Sequence, residues 1–214
     1  MGTSLAVATS LGLGYLSGAL PWGLWLGRWL KGVDVRTLGS HNLGATNVYR
    51  TLGPALGITT LVLDIAKGAL PVAIVPGSNL TQAFPGGREW CMVAVAIAAV
   101  GGHVWTCFAG FRGGKGVATT VGVLLTLAPA AFGVFAVVFV AIVAITRYIS
   151  LGSVLGSLAF VVALGVLSDH GVRSPTFAVG LLLGLLVILR HRENLARLAR
   201  GTERRFSWRG GQGT

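Results

Sequence analysis

The chain has 214 residues, is 53% hydrophobic and only 11% charged, and carries a formal net charge of +11. Its mean hydropathy of +0.77 excludes an ordinary soluble domain and points to an integral membrane protein. At about 20 apolar residues per spanning helix, the length allows roughly six to eight crossings and leaves little for a separate soluble domain. The expected fold is all-α: one membrane-embedded domain over 1–214, a bundle of about seven transmembrane helices, with a basic tail from about 191 to 214. The 33 glycines suit such a bundle, because small residues let helices approach closely in lipid.

In chain order, apolar segments fall at about 5–30, 53–76, 89–106, 117–128, 130–147, 151–168 and 175–190. The fourth is short and only Pro129 separates it from the fifth, so six spans is the alternative to seven. No Lys or Arg precedes Arg28, so residues 5–30 lack the basic start of a cleaved signal peptide and read as a retained first helix. Apart from Lys67, Arg88 and Arg173, every Lys and Arg lies at one alternating set of helix ends or in the tail. The positive-inside rule then places the N-terminus outside and the C-terminus in the cytoplasm. The charge needs no nucleic acid to explain it, since topology and anionic lipid suffice. Cys91 and Cys107 offer neither a disulfide framework nor a metal-ligand spacing and read as small buried hydrophobes.

Three polar segments stand out at the basic ends. Between spans one and two, "LGSHNLGATNVYRTLG" (38–53) offers Ser40, Asn42, Thr46 and Asn47 as neutral hydrogen-bonding groups and then Arg50. If a helix starts near Thr46, Asn47 and Arg50 share a face. The second, "GFRGGKGVATT" (110–120), sets Gly113, Gly114 and Gly116 around Lys115. Glycines there could turn backbone N–H groups onto an anion, and a helix starting near Thr119 would add its own N–H groups. It is not a Walker A loop, because Gly116 stands where Ser or Thr must follow the lysine. In the third, "LRHRENLARLARGTERRF" (189–206), His191 and Asn194 share a face and Glu193 is spaced to pair with Arg197. Asp64 and Lys67 lie within span two, where ionisable groups are functional suspects. Arg147, Ser150 and Ser153 form a further polar spot. Arg50, Lys115 and Arg147 with many neutral donors suit a phosphorylated substrate better than a metal site.

"GSHNLGATNVYR", "GHVWTCFAGFRGGKGVAT" and "HRENLARLARGTE" resemble, in order and spacing, the three cytoplasmic motifs of the bacterial acyl-phosphate:glycerol-3-phosphate acyltransferases, the PlsY family. "LDIAKGALP" and "RYISLGS" resemble intervening family segments, and the likeness spans essentially the whole chain. It implies a multi-pass enzyme of the bacterial inner membrane, active on the cytoplasmic side. The reaction would move a fatty acyl group from acyl phosphate to the 1-hydroxyl of sn-glycerol 3-phosphate, giving lysophosphatidic acid and inorganic phosphate. No metal or organic cofactor and no obligate protein partner is implied, which is compatible with a monomer among membrane lipids. No histidine is followed five residues later by aspartate, so the H-x-x-x-x-D site of thioester-using acyltransferases is missing.

By matching motif positions, the resemblance implies that Ser40, Arg50, Lys115 and the Gly113–Gly116 backbone hold phosphate. Asn194 would meet the developing oxyanion and His191 would orient it. Glu203 would be structural, and His103, Asp64 and Lys67 are further candidates. Asn42, Thr46, Asn47, Thr119, Arg147, Ser150 and Ser153 would line the substrate. The proton acceptor is either His191 or a substrate phosphate, whose second pKa near ~6 suits the task. His41 stands where glycine is expected and Thr106 where proline is expected, which touches local loop shape. The alternative function is a transporter for glycerol phosphate or another organic phosphate, with the Asp64–Lys67 pair at midplane.

Overall fold

The computed structural model describes residues 2–168 and 171–206; the end of the basic tail (207–214) and His170 lie outside the described residues. Among the described residues all regular structure is helical: α1 Thr3–Ala19, α2 Trp22–Lys31, α3 Ala45–Leu52, α4 Pro54–Ile74, α5 Gly87–Val104, α6 Val117–Leu127, α7 Pro129–Thr146, α8 Ile149–Leu167, α9 Pro175–Arg190 and α10 Arg192–Ala199. They fall into two compact units, 2–127 and 128–206.

Among the described residues four helical segments are long and apolar enough to cross a membrane: Pro54–Gly77, Gly87–Ala109, Pro129–Thr146 and Ile149–Leu167. Two bent pairs, α1 with α2 (41°) and α9 with α10 (52°), raise the number to as many as six. The apolar helix α6 has only 11 residues; at 1.5 Å per residue it reaches about half the ~30 Å hydrocarbon thickness. Large apolar side chains face outward, including Val137, Ile145 and Val166. This fits a multi-pass protein whose outer surface is solvated by lipid.

The expectation of one continuous first helix over 5–30 is corrected by Pro21. Proline supplies no N–H and pushes the preceding residue out of the helical region, and Leu20 indeed turns to ψ 111°. The break strands carbonyls in apolar surroundings, where each must find a donor. Thr106 Oγ1 donates to Ala19 O, and Lys67 Nζ donates to Leu20 O at 2.6 Å. Pro71, inside α4, likewise removes the donor that Lys67 O would have had four residues on. Ser17 Oγ fills that gap from α1 at 2.9 Å. Each helix thus repairs the other's proline defect.

In the first unit, close helix approach comes from glycines rather than large apolar ridges. A Cβ on Gly18 would lie 1.8 Å from Ala99 O, and one on Gly68 would lie 2.2 Å from Thr119 O. These contacts seat α1 on α5 and α4 on α6. In the second unit, α8 presents Gly152 and Gly156 to Phe135, Phe139 and Val143 of α7.

Candidate active site

The first motif folds around Asn47, which is 3% exposed on α3. Its Oδ1 accepts from Ser40 N at 2.8 Å. Its Nδ2 donates to Val35 O (3.0 Å), Leu38 O (3.1 Å) and Asn42 O (2.9 Å). Asn42 in turn accepts from Gly44 N through Oδ1, a tight Asx turn leading into α3. Both asparagines were expected to line substrate; the Asn47 amide and the Asn42 Oδ1 shape the loop. Ser40 is left exposed at its surface, and Thr46 and Arg50 are half-buried. Asn47 and Arg50 do share a helix, as the spacing implied.

Leu43 and Val48 of this loop pack with Leu24, Val35 and Ala109 in one apolar cluster. Ala109 belongs to the second motif, so the two motifs are held against each other inside the first unit. Arg36 adds a polar link, reaching Ala109 O at 3.5 Å. It is held by Asp34 at 2.6 Å. The Arg36 guanidinium keeps the Asp34 carboxyl well below the usual carboxylate range, against the opposing effect of burial. His41 sits at φ 55°, a left-handed position that explains why glycine is expected there. Its Nδ1 lies 2.9 Å from Arg36 O.

The glycines of the second motif work differently from the expectation. Gly113 N donates to Val104 O (3.0 Å) and Gly114 N to His103 O (3.2 Å), so these N–H groups bond to the end of α5. Both residues are glycine because space forbids anything larger: a Cβ at 113 would come 1.8 Å from His103 O, and one at 114 would come 2.2 Å from His103 Nε2. Gly110, at φ 67°, and Gly116, at φ 85°, are the motif's glycines that need glycine for conformation. The N–H groups of 113 and 114 are thus bonded within the protein, and Lys115 and Gly116 lead directly into the first turn of α6 at Val117. In that turn Thr119 and Thr120 are buried, and their hydroxyls meet no hydrogen-bond partner among the described residues. Lys115 is half-buried beside them in sequence. Thr106, where proline was expected, caps the following turn by accepting from Phe108 N.

Asp64 and Lys67 are buried and paired at 2.7 Å, with His103 Nδ1 3.9 Å from the same Asp64 oxygen. Together with Leu43, Thr106 and Gly114 they line a small cleft between α1, α4 and α5. The Pro21 and Pro71 defects were the missed signal here. Two prolines in apolar helices call for nearby donors, and Ser17, Lys67 and Thr106 are those donors. Cys91 is buried as expected, whereas Cys107 is exposed.

In the second unit the third motif gathers around Glu203, whose side chain is 6% exposed. Its Oε1 accepts from Asn194 Nδ2 at 2.6 Å and from Ser150 Oγ at 2.8 Å. Its Oε2 accepts from Arg197 Nε at 2.8 Å. The expected Glu193–Arg197 pair is therefore replaced by Glu203–Arg197, because the chain turns back after α10. Burial pushes the Glu203 carboxyl up, but the donors Asn194, Arg197 and Ser150 outweigh it and leave the pKa below the ordinary glutamate value. His191 is buried at the α9–α10 joint. Its Nδ1 lies 2.8 Å from Val187 O; a carbonyl can only accept, so Nδ1 carries a proton in this contact. Ser153 donates to Ile149 O (2.9 Å). Arg147 is exposed at φ 61° and closes α7, while its carbonyl accepts from Phe206 N.

Helices apolar on the outside, with amide- and carboxylate-ordered cationic segments at their ends, define a membrane-embedded protein with polar, positively charged segments between its helices. Comparison with known proteins narrows the class. A sequence model for glycerol-3-phosphate acyltransferase matches residues 8–201. A glycerol-3-phosphate acyltransferase of Anaeromyxobacter dehalogenans (strain 2CP-C) is 43% identical over 205 residues, covering 96% of this chain and all of that protein. One from Myxococcus xanthus is 47% identical over 194 residues, covering 91% and 96%. Crystal structures of PlsY (YgiH), an integral membrane glycerol 3-phosphate acyltransferase, superpose with TM-scores of 0.83 for the glycerol 3-phosphate form and 0.81 for the lysophosphatidic acid form. The former is 35% identical and covers 94% of this chain and 96% of that one. The chain belongs to the glycerol-3-phosphate acyltransferase family.

Proposed function

We propose that this chain, as a member of that family, acylates glycerol 3-phosphate with acyl phosphate as donor, giving lysophosphatidic acid and inorganic phosphate. The substrate and product named for the similar crystal structures are those of this transfer. The observation that carries the phosphate-handling part of this reading is the second motif: a lysine at the mouth of α6, ahead of two buried threonine hydroxyls that meet no hydrogen-bond partner among the described residues. A buried hydroxyl needs a polar partner, and a phosphate at a helix N-terminus supplies one. The 1-hydroxyl oxygen of glycerol 3-phosphate attacks the acyl carbonyl, the bond from carbonyl carbon to phosphate oxygen breaks, and the hydroxyl proton ends on phosphate. Acyl phosphate is already activated, so no protein nucleophile is required.

In this reading Arg50, Lys115 and Ser40 hold phosphate, with Gly116 and the first turn of α6. Arg147 adds positive charge. Asn194, held by Glu203, meets the developing oxyanion with its amide; such a donor is typically worth ~3–4 kcal/mol. His191 orients it. Glu203 and Ser150 position Asn194, and Asn47 and Asn42 position Ser40. We place the reaction at the cytoplasmic face of the bacterial inner membrane, with the short α6 and its flanking residues counted together as a seventh crossing and the N-terminus outside, on the strength of the positive-charge asymmetry.

The test is incubation of purified protein with labelled glycerol 3-phosphate and either palmitoyl phosphate or palmitoyl-CoA. Lysophosphatidic acid is expected only from palmitoyl phosphate, and Lys115→Ala should lower the rate ~100-fold or more, the scale of losing one charged transition-state contact. Product from palmitoyl-CoA at an equal rate would overturn the donor assignment.

A further inference from the structure

Asp64, Lys67 and His103 are three buried ionisable side chains that the transfer itself does not use. Lys67 is accounted for by an ion pair with Asp64 Oδ1 at 2.7 Å and a hydrogen bond to Leu20 O at 2.6 Å. The first neutralises it and the second ties it to the α1–α2 break. If neutralisation were the whole story, Asp64 would have no connection beyond α4 and α1. It has one. The oxygen that meets Lys67 also faces His103 Nδ1 at 3.9 Å, a polar approach longer than a hydrogen bond, and the far edge of the His103 ring abuts Gly114, where a Cβ would come 2.2 Å from Nε2. The backbone of the same residue accepts the Gly114 N–H at 3.2 Å, and its neighbour Val104 accepts that of Gly113 at 3.0 Å. The glycine loop therefore rests on residue 103 through both main chain and ring.

We propose that Asp64, Lys67 and His103 form a buried brace that positions the Gly113–Gly116 loop, and through it Lys115, for binding substrate phosphate. Lys67 fixes Asp64 against the broken first helix, Asp64 sets the ring of His103, and the ring sets the height of the loop. All three are positioning residues, acting on the substrate only through the loop. A buried pair that merely neutralises itself can be exchanged for apolar residues at little cost; a brace cannot. The inference rests on the loop's phosphate-binding role proposed above.

The two ideas separate by experiment. Equilibrium dialysis with labelled glycerol 3-phosphate and no acyl donor gives Kd, and palmitoyl phosphate turnover gives KM and kcat, for wild type and for Asp64→Asn, His103→Ala, Gly114→Ala and His103→Ala/Gly114→Ala. Asp64→Asn should weaken glycerol 3-phosphate binding ~5- to 10-fold, raise KM in parallel and leave kcat within ~3-fold, the pattern of lost binding without lost transition-state contacts. Gly114→Ala should weaken binding by ~10-fold or more, and removing the ring should restore the double variant to within ~3-fold of His103→Ala alone, since contacting residues are non-additive. A double variant no better than Gly114→Ala, or an unchanged Kd in Asp64→Asn, would overturn the brace. If Asp64→Asn does not fold, the His103 and Gly114 cycle decides alone. Wild type that binds glycerol 3-phosphate yet makes no product from palmitoyl phosphate would refute the donor and leave the binding constants to judge the brace.

Discussion

Asn47 and Glu203 each hold a motif together from a buried position, one with a neutral amide and the other with a carboxylate. Asn47 bonds only to backbone, to groups no more than 12 residues away. An amide both donates and accepts, so a single side chain can stand in for the ladder that an irregular loop lacks. Glu203 bonds only to side chains, and Ser150 lies 53 residues from it in sequence. A carboxylate only accepts, so it collects donors from separate helices and must offset its own desolvation with them. The neutral hub shapes one loop whatever the pH. The charged hub joins elements and ties their order to its ionisation.

The largest expected effect breaks the neutral hub. Asn47→Asp replaces the donating Nδ2 with an oxygen facing the carbonyls of Val35, Leu38 and Asn42. Each buried group left unpaired costs ~1–3 kcal/mol, and repulsion adds to that. Glycerol 3-phosphate acylation should fall at least ~100-fold with a lower unfolding midpoint. A variant with wild-type rates would mean that the loop is held by its apolar cluster alone.

The next effect sharpens the difference in charge. Because the folded-state pKa of Glu203 is lowered, its stabilisation is present above the unfolded glutamate value of ~4.3. It is lost as pH falls below that value and through the folded one. The unfolding midpoint in detergent should therefore drop as acid is added in that window. Glu203→Gln keeps one accepting oxygen for Asn194 and Ser150 but loses the partner of Arg197. It should lower acylation at pH 7 by ~10- to 100-fold, the scale of one charged hydrogen bond at ~1.5–3 kcal/mol, and flatten the acid limb of the midpoint curve. An acid limb of unchanged depth in Glu203→Gln would assign it to other carboxylates.

The sequence disclosed the helical membrane class, the three motifs and the charged residues Arg50, Lys115 and Arg147, because apolar runs and glycine–lysine patterns are local signals. It also marked Asn47 and Glu203 without disclosing what each one holds. Asn47 was grouped with substrate contacts because a polar side chain beside a positive charge looks the same whether it faces a ligand or its own loop. Glu193 looked like the partner of Arg197 because helical spacing is all that a sequence shows, whereas the reversal of the chain at Gly201, φ 70°, is what brings Glu203 back. The glycines at 113 and 114 were read as conformational, although their cause is the ring and carbonyl of His103 beneath them. That contact depends on tertiary packing, which no spacing rule reports.

The smallest effect concerns the edge of the neutral hub, at His41. A left-handed conformation costs an ordinary L-residue roughly 1–2 kcal/mol, so glycine would relieve strain. Glycine would also give up the contact with Arg36 O and add ~0.4–1 kcal/mol of unfolded-state entropy. These contributions nearly cancel, and His41→Gly should match wild type to within ~0.5 kcal/mol. His41→Ala keeps the strain and loses the hydrogen bond, so it should lie ~1 kcal/mol below both, the usual net worth of one such bond. Unfolding midpoints for the three proteins give the ranking. If alanine equals histidine, the ring contact adds nothing and the loop's shape belongs to Asn47 alone.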